Sequence, residues 1–110
     1  MRRPFIAGNW KMNLTHAECA ALAAGVAAGV DDQANCDVAI CPPFVYLEAV
    51  LAAVESSSVK VGAQNLYPEP SGAFTGEIAP AMLIDIGCSS CIVGHSERRT
   101  LFGENDATVN

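Results

Sequence analysis

The sequence predicts an α/β fold in which parallel strands alternate with helices, either as a closed barrel or as a doubly wound sheet. Three features of the sequence indicate this class. Short apolar runs recur along the 110 residues, and helical patterns follow them. The runs are continuously apolar, which is typical of parallel strands buried on both faces. With 51% hydrophobic and 16% charged residues, the chain is expected to form one compact domain over residues 1–110.

The first strand and helix are predicted over residues 4–10 and 15–30. Residues 4–10 form a short apolar run, and Thr15 followed by Glu18 three positions later is the pattern of a helix-capping box. A polar loop is expected at residues 31–33. Four apolar residues at helical spacing are predicted to form the buried stripe of this helix: Cys19, Leu22, Val26 and Val30.

Three more apolar runs predict the remaining strands, at residues 37–41, 59–63 and 90–93. Two prolines follow the second run, and proline fits the first turn of a helix because its missing N–H would have no partner there. A helix is therefore expected over residues 45–54. Further helices are predicted over residues 80–86 (closed by Gly87), over residues 96–101 and from residue 105 onward.

An unusually long connection separates the third strand from the next helix. Residues 64–76 contain Pro68, Pro70, Gly72 and Gly76, and they carry no helical or strand pattern. Loops of this length in compact domains are usually functional or form contacts. The sequence therefore indicates a projecting loop here.

Charge and composition exclude several classes of function. The formal net charge is -6, and the 6 Lys and Arg residues form no stripe that could neutralise phosphates, so no nucleic-acid partner is expected. No window reaches the roughly 20 apolar residues of a membrane helix, and no targeting segment is visible. The 5 cysteines are dispersed and odd in number, which favours free thiols in the cytoplasm.

Polar residues lie at the carboxyl end of the first predicted strand, which is where a parallel α/β fold places its chemistry. Asn9 and Lys11 are two positions apart, so on extended backbone they share one face. A lysine at the end of a strand can simply be exposed to solvent, with no role in binding. An Asn and a Lys together facing the crevice suit an anionic, oxygen-rich ligand, because the ammonium supplies charge for a phosphate or a developing oxyanion.

A second polar group follows the fourth predicted strand. His95 comes two residues after Val93 and is expected on the same inward face, although a lone histidine can also be purely structural. Ser96 and Glu97 then begin a helix. Free N–H groups and the positive end of the helix dipole beside the imidazole disfavour its protonated form. A neutral ring can donate a hydrogen bond to a carbonyl oxygen.

These two segments, at residues 8–13 (GNWKMN) and 93–99 (VGHSERR), resemble the triosephosphate isomerase family. Gln64-Asn65 and residues 72–77 (GAFTGE) lie between them and match it as well. The resemblance covers essentially the whole chain, in the order and at the spacing of the family. It implies the N-terminal half of a (β/α)8 TIM barrel, with about four parallel strand–helix units.

The resemblance also implies an activity: interconversion of dihydroxyacetone phosphate and D-glyceraldehyde 3-phosphate through an enediol(ate), in glycolysis and gluconeogenesis, without cofactor or metal. Asn9 and Lys11 match the family's substrate-contacting pair, and His95 matches the catalytic electrophile. The family is itself an established example of a neutral catalytic imidazole, so that property comes with the resemblance. Ser96 matches the residue that holds the catalytic base in its open position, and Glu97 the carboxylate that pairs with Lys11.

The loop at residues 64–77 resembles the family's dimer loop. Gln64, Thr75 and Glu77 belong to it, and Thr75 near the tip is implied to reach the active site of a partner beside Lys11. The expected partners are thus a small phosphorylated triose and a second copy of the chain in a homodimer.

The sequence also departs from the family pattern in extent. The family's barrel has eight strand–helix units over roughly 250 residues. The glutamate base, the mobile lid and the glycine-rich phosphate loops of the family have no counterpart in these 110 residues. The segment by itself is therefore expected to be inactive. Its first and last strands would have unpaired edges, so it is also expected to be insoluble, molten or oligomeric on its own.

Other interpretations of the sequence stay open. Cys88 and Cys91 have the C-x-x-C spacing of a redox pair or of half a zinc site. A structural zinc site would need two more ligands, which Cys41 and His95 are not expected to supply together. A phosphosugar barrel of another specificity would share the architecture. A truncated, non-catalytic barrel piece is the third alternative.

Overall fold

The computed structural model describes residues 2–30 and 35–110. Strands and helices alternate along them, as predicted, and the loop expected at residues 31–33 lies outside the described residues. The elements are β1 (Phe5–Asn9), α1 (His16–Gly29), β2 (Asp37–Cys41), α2 (Leu47–Ala53), β3 (Lys60–Ala63), α3 (Pro80–Ile86), β4 (Ser90–Cys91), α4 (Ser96–Phe102) and α5 (Asp106–Val109).

The four strands form one parallel sheet in the order β1-β2-β3-β4. Asn9 of β1 is in register with Cys41 of β2, and Gly62 of β3 is in register with Ser90 of β4. A doubly wound sheet would reverse its strand order at a switch point, and this order has no reversal. The sheet is therefore the N-terminal half of a (β/α)8 barrel, which confirms the predicted fold class.

The core lies between the sheet and its helices. Ile40, Val61 and Ala63 face the helices from the strands, and α2 contributes Leu47 and Val50, which are almost fully buried. Trp10 packs against the edge of this cluster, next to the site described below. Burial of these aliphatic side chains therefore holds the carboxyl ends of the strands at fixed positions.

Helix α1 begins at its predicted cap. The Thr15 hydroxyl accepts a hydrogen bond from the Glu18 N–H at 3.4 Å and donates one to the Glu18 carboxylate at 2.8 Å. The predicted buried stripe is wrong at Leu22, which is 44% exposed, and Ala23 is buried in its place. Cys19 and Ala23 are one turn apart, and two small side chains let α1 lie close against α2.

Two other elements differ from the prediction. The helix expected over residues 45–54 begins instead with a 3-10 turn, Phe44–Tyr46, after Pro43, and α2 starts at Leu47. The predicted strand at residues 90–93 is shorter, because pairing with β3 ends when the Ile92 N–H bonds to the Ala63 carbonyl. In the part of the chain that the structure describes, nothing pairs with the outer side of β4 to prolong it.

Both outer strands present a free edge within residues 2–30 and 35–110, since β1 pairs with β2 alone and β4 with β3 alone. Phe5 and Ile6 on β1 are 53% and 57% exposed. Among the described residues, no helix has the length and apolar character needed to cross a membrane.

Candidate active site

The carboxyl ends of the strands surround a cavity of about 320 Å³. The sequence-predicted residues Asn9, Lys11 and His95 all line it, although they come from opposite ends of the chain. Four further polar residues join them, and apolar side chains close one wall. The complete lining is Asn9, Lys11, Met12, Phe44, Gln64, Asn65, His95, Glu97, Arg98, Leu101 and Phe102.

The backbone of Lys11 turns sharply after β1. Its φ of 58° is in the left-handed region, which residues with a side chain rarely adopt. The Lys11 N–H donates to Asn9 Oδ1 at 2.9 Å, and the Lys11 carbonyl accepts from Gln64 Nε2 at 2.8 Å. Lys11 is thus not in the extended conformation predicted from the sequence, and both of its peptide groups are held by side chains of the site.

The ammonium of Lys11 forms an ion pair with Glu97. The Nζ and Oε1 atoms are 2.7 Å apart, and the two side chains are 52% and 47% exposed. The hydrogen bond from Lys11, helped by the positive charge of its ammonium, lowers the pKa of the Glu97 carboxyl. Glu97 is therefore ionised and orients the ammonium at the mouth of the cavity.

His95 is positioned by the turn between β4 and α4. Gly94 precedes it with a φ of 61°, and a Cβ there would lie 2.6 Å from a methyl carbon of Val109, so this turn requires glycine. His95 then caps α4, and its Nδ1 accepts the Glu97 N–H at 3.0 Å. A ring nitrogen that accepts a hydrogen bond carries no proton, so this contact corresponds to the tautomer that has its proton on Nε2.

Arg98 lines the cavity with its guanidinium held on two sides. Its Nε donates to Glu104 Oε2 at 2.8 Å, and the guanidinium carbon lies 4.8 Å from the centre of the Phe102 ring. Both charged side chains are largely buried. This pair gives the short helix α4 a rigid attachment, since Glu104 follows the end of the helix.

Of the other predicted site residues, Gln64 lines the cavity, whereas Ser96, Thr75 and Glu77 do not. Ser96 is exposed as the first residue of α4 and does not line the cavity. Thr75 and Glu77 are exposed in the long loop. Gln64 and Asn65 line the cavity itself, so the first residue of the predicted dimer loop is also a residue of the site. The sequence carries a signal for them, because Gln64 and Asn65 are the two residues that come after the predicted strand at residues 59–63.

The long loop is fastened at its base. The Tyr67 N–H donates to the Ile78 carbonyl at 2.9 Å, and the rings of Tyr67 and Phe74 are 4.6 Å apart. Residues 68–77 beyond this closure are exposed. The loop is therefore closed at its base, and Thr75 lies in its exposed segment.

The C-x-x-C thiols lack the properties of a redox pair. All five cysteines are free, and burial raises the pKa of Cys91 to about 11 and that of Cys88 in the same direction. Reactive thiols in such motifs have lowered pKa values. Among residues 2–30 and 35–110, no three His, Cys, Asp or Glu side chains are grouped as metal ligands, so the zinc alternative has no ligand set there.

A larger cavity of about 460 Å³ lies at the opposite, amino ends of the strands. Its charged lining residues are Glu55 and Lys60, and its hydroxyl groups belong to Ser57 and Ser89. The Ser57 hydroxyl donates a hydrogen bond to the Val54 carbonyl and accepts one from the Val59 N–H. We therefore place the candidate chemistry at the carboxyl ends, where a cation, an imidazole and amides converge.

The parallel strand order and the helices between the strands define a (β/α)8-barrel protein, and a lysine and a histidine lie at the carboxyl ends of its strands. The family profile of triosephosphate isomerase matches residues 4–110, and the chain belongs to this family. Over all 110 residues it is similar to the triosephosphate isomerases of Syntrophotalea carbinolica and Chloroflexus aurantiacus, each 54% identical, and to that of Clostridium novyi, 56% identical. The chain spans 44% of the length of each of these relatives.

Proposed function

We propose that this chain supplies the electrophilic half of a triosephosphate isomerase active site. The reaction interconverts dihydroxyacetone phosphate and D-glyceraldehyde 3-phosphate through an enediol(ate), in glycolysis and gluconeogenesis. The observation that carries the proposal is the convergence of Asn9, Lys11 and His95 on one cavity. The free thiols of the structure support a reducing, cytoplasmic location.

In this mechanism His95 donates a hydrogen bond from Nε2 to the carbonyl oxygen of the substrate. A base removes a proton from the adjacent carbon, and the electron pair moves to form the enediolate while the oxygen gains negative charge. Lys11 stabilises that charge and the phosphate, with Asn9 orienting the substrate beside it. His95 then moves protons between the two oxygens. No metal or cofactor is needed, since the carbonyl is polarised by hydrogen bonds and an ammonium.

The catalytic base is the part that these residues do not offer. Within the described residues, the carboxylate that lines the cavity is that of Glu97. It forms an ion pair with Lys11 and is therefore not available as the base. Glu77 is exposed in the long loop. The proposal therefore assigns the base and the phosphate-binding loops to chain outside these 110 residues, and the 110-residue chain alone is inactive. Ser96 is the residue proposed to hold that base in its open position.

A homodimer through the loop at residues 64–77 is part of the same proposal. The closure of this loop between Tyr67 and Ile78 supports it, because a rigid projecting loop loses little conformational entropy on docking. Thr75 in its exposed segment would approach Lys11 of a second copy.

An isomerase assay tests the proposal on two proteins. One is the 110-residue chain, and the other is a completed chain, in which the 110 residues are followed by the part of the Syntrophotalea carbinolica relative beyond the matched region. We expect turnover from the completed chain and none from the 110 residues. Turnover of another phosphosugar in place of the triose phosphates would favour the alternative specificity, and an inactive completed chain the non-catalytic alternative.

Substitutions in the completed chain test the site. Lys11→Ala and His95→Gln each lower turnover, His95→Gln by about 10²- to 10⁴-fold, the range for loss of acid–base function. The matched controls are Lys60→Ala and His16→Gln, because neither residue lines the cavity. Turnover like that of the unsubstituted protein in Lys11→Ala or His95→Gln would remove the site assignment.

A further inference from the structure

Lys11 adopts a backbone conformation that its own residue type disfavours. With a φ of 58°, its Cβ approaches the neighbouring carbonyl, and an isolated chain would relax to negative φ. Such conformations persist where surrounding contacts determine them, and they are frequent at functional sites. The direction of the lysine side chain depends on this turn, because φ sets where the Cα–Cβ bond points.

Gln64 makes the contact that opposes this relaxation. Its Nε2 donates to the Lys11 carbonyl at 2.8 Å and to the Cys41 carbonyl at 2.9 Å, so both N–H groups of the amide are used. Cys41 ends β2 and Gln64 directly follows β3. One half-buried amide thus attaches the turn after β1 to the two neighbouring strands. The N–H of Lys11 is held separately by Asn9.

We propose that Gln64 is a positioning residue for Lys11, which keeps the lysine backbone left-handed and thereby directs its ammonium into the cavity. The kinetic part rests on the proposed function. The role requires two donors on one planar group. A glutamate would turn carboxylate oxygens toward two carbonyl oxygens, and a leucine would leave both carbonyls without this donor. Either change lets the peptide of Lys11 rotate and moves the ammonium away from its position beside Glu97.

Kinetics of the completed chain test the proposal with Gln64→Leu and Gln64→Glu. We expect each to raise KM for the triose phosphate and to lower kcat. The expected reduction in kcat/KM is at least about tenfold, because a small displacement of a catalytic group can cost up to about 10²-fold. In a Lys11→Ala background the same changes have no further effect, because the positioned group is gone. Unchanged kinetics in both variants, or an equal loss in the Lys11→Ala background, would overturn the proposal.

A matched control separates positioning from stability. Ser57 makes two comparable side-chain contacts to backbone, with the Val54 carbonyl at 2.8 Å and the Val59 N–H at 3.2 Å, at the opposite end of the strands. Ser57→Ala is expected to lower stability while leaving KM and kcat unchanged. If it reproduced the KM change of Gln64→Leu, general destabilisation would explain both and the proposal would fall.

A measurement independent of turnover keeps the two proposals distinguishable. The Cα and Cβ NMR chemical shifts of Lys11 report its backbone conformation in the completed chain, whether or not that chain is an isomerase. In the unsubstituted protein we expect the Lys11 chemical shifts of a left-handed backbone. In Gln64→Leu we expect them to move toward the values of a residue with negative φ. Left-handed values retained in that variant would overturn the role of Gln64, whereas an inactive completed chain would overturn the proposed function alone.

Discussion

The backbone N–H of Glu97 donates a hydrogen bond to Nδ1 of His95 at 3.0 Å, so the first turn of α4 sets the tautomer of the imidazole. The carboxylate of the same Glu97 lies 3.8 Å from Nδ1, outside hydrogen-bonding distance, while it binds Lys11. One residue therefore fixes the ring through its backbone and the ammonium through its side chain.

This arrangement predicts the position of the ring proton. In the neutral imidazole of His95, ¹⁵N NMR of the completed chain should show the proton on Nε2 and none on Nδ1, because Nδ1 accepts from Glu97. His16 is the internal control, since its ring contacts the edge of Tyr46 and caps no helix. A proton found on Nδ1 of His95 would contradict the geometry and the proposed donor role.

The ion pair predicts a pH effect. Lys11 lowers the pKa of Glu97 in the folded protein, so Lys11→Met should raise that pKa toward the usual carboxyl range. With a lowered pKa in the folded state, the pair contributes stability above the carboxyl's ordinary pKa, and the contribution is lost as pH falls through the folded value. Carbon NMR of the Glu97 carboxyl measures the titration. Lys60→Met, which removes an ammonium that pairs with Asp37, should leave the pKa of Glu97 unchanged.

Two glycines predict opposite effects on stability. A Cβ on Gly62 would lie 2.6 Å from the Ser90 hydroxyl and 3.0 Å from the Cys41 sulfur, so Gly62→Ala should destabilise by about 1–3 kcal/mol, as overpacking does. Gly25 in α1 has nothing within 4 Å of such a Cβ, and Gly25→Ala should stabilise by about 0.5–1 kcal/mol. Urea unfolding of the completed chain measures both. A stabilising Gly62→Ala would show that β3 and β4 are further apart than described.

Buried thiols predict slow alkylation. The pKa of Cys91 is raised to about 11, chiefly by burial, so Cys91 should resist iodoacetamide at pH 9 in the folded protein and react only as pH approaches that value. The raised pKa also means a stability contribution that is complete below the unfolded thiol's pKa and is lost as pH rises toward the folded one. Mass spectrometry locates the labels, and urea-unfolded protein provides the control. Rapid labelling of Cys91 at pH 8 would revive the redox interpretation.

The unpaired strands predict how the 110 residues behave alone. Exposed Phe5 and Ile6 on the edge strand β1 form a template for pairing, so the chain by itself should associate or stay molten. Light scattering after size exclusion measures the association. Ile6→Lys, a charge on that edge, should reduce it, whereas Val45→Lys on the exposed turn before α2 should not. A soluble monomer with a sharp thermal transition would show the expectation to be wrong.

Local sequence patterns were enough for much of the fold. Alternating apolar runs and helical patterns located all four strands, and the cap at Thr15 located the start of α1, because these signals act within a few residues. Leu22 was misplaced because helical spacing alone does not say how closely a neighbouring helix approaches. The length of β4 was also overestimated, since a strand continues only where a neighbour supplies hydrogen bonds.

For the site, local sequence patterns were enough to show which residues lie at the strand ends, and hence that Asn9, Lys11 and His95 are candidates. How these residues are held depends on contacts that form only in the folded chain: the left-handed turn of Lys11, the amide of Gln64 across two strands, and the Nδ1 contact of His95. The physical reason is that strand position follows from local composition, whereas side-chain direction depends on hydrogen bonds between residues up to 53 positions apart.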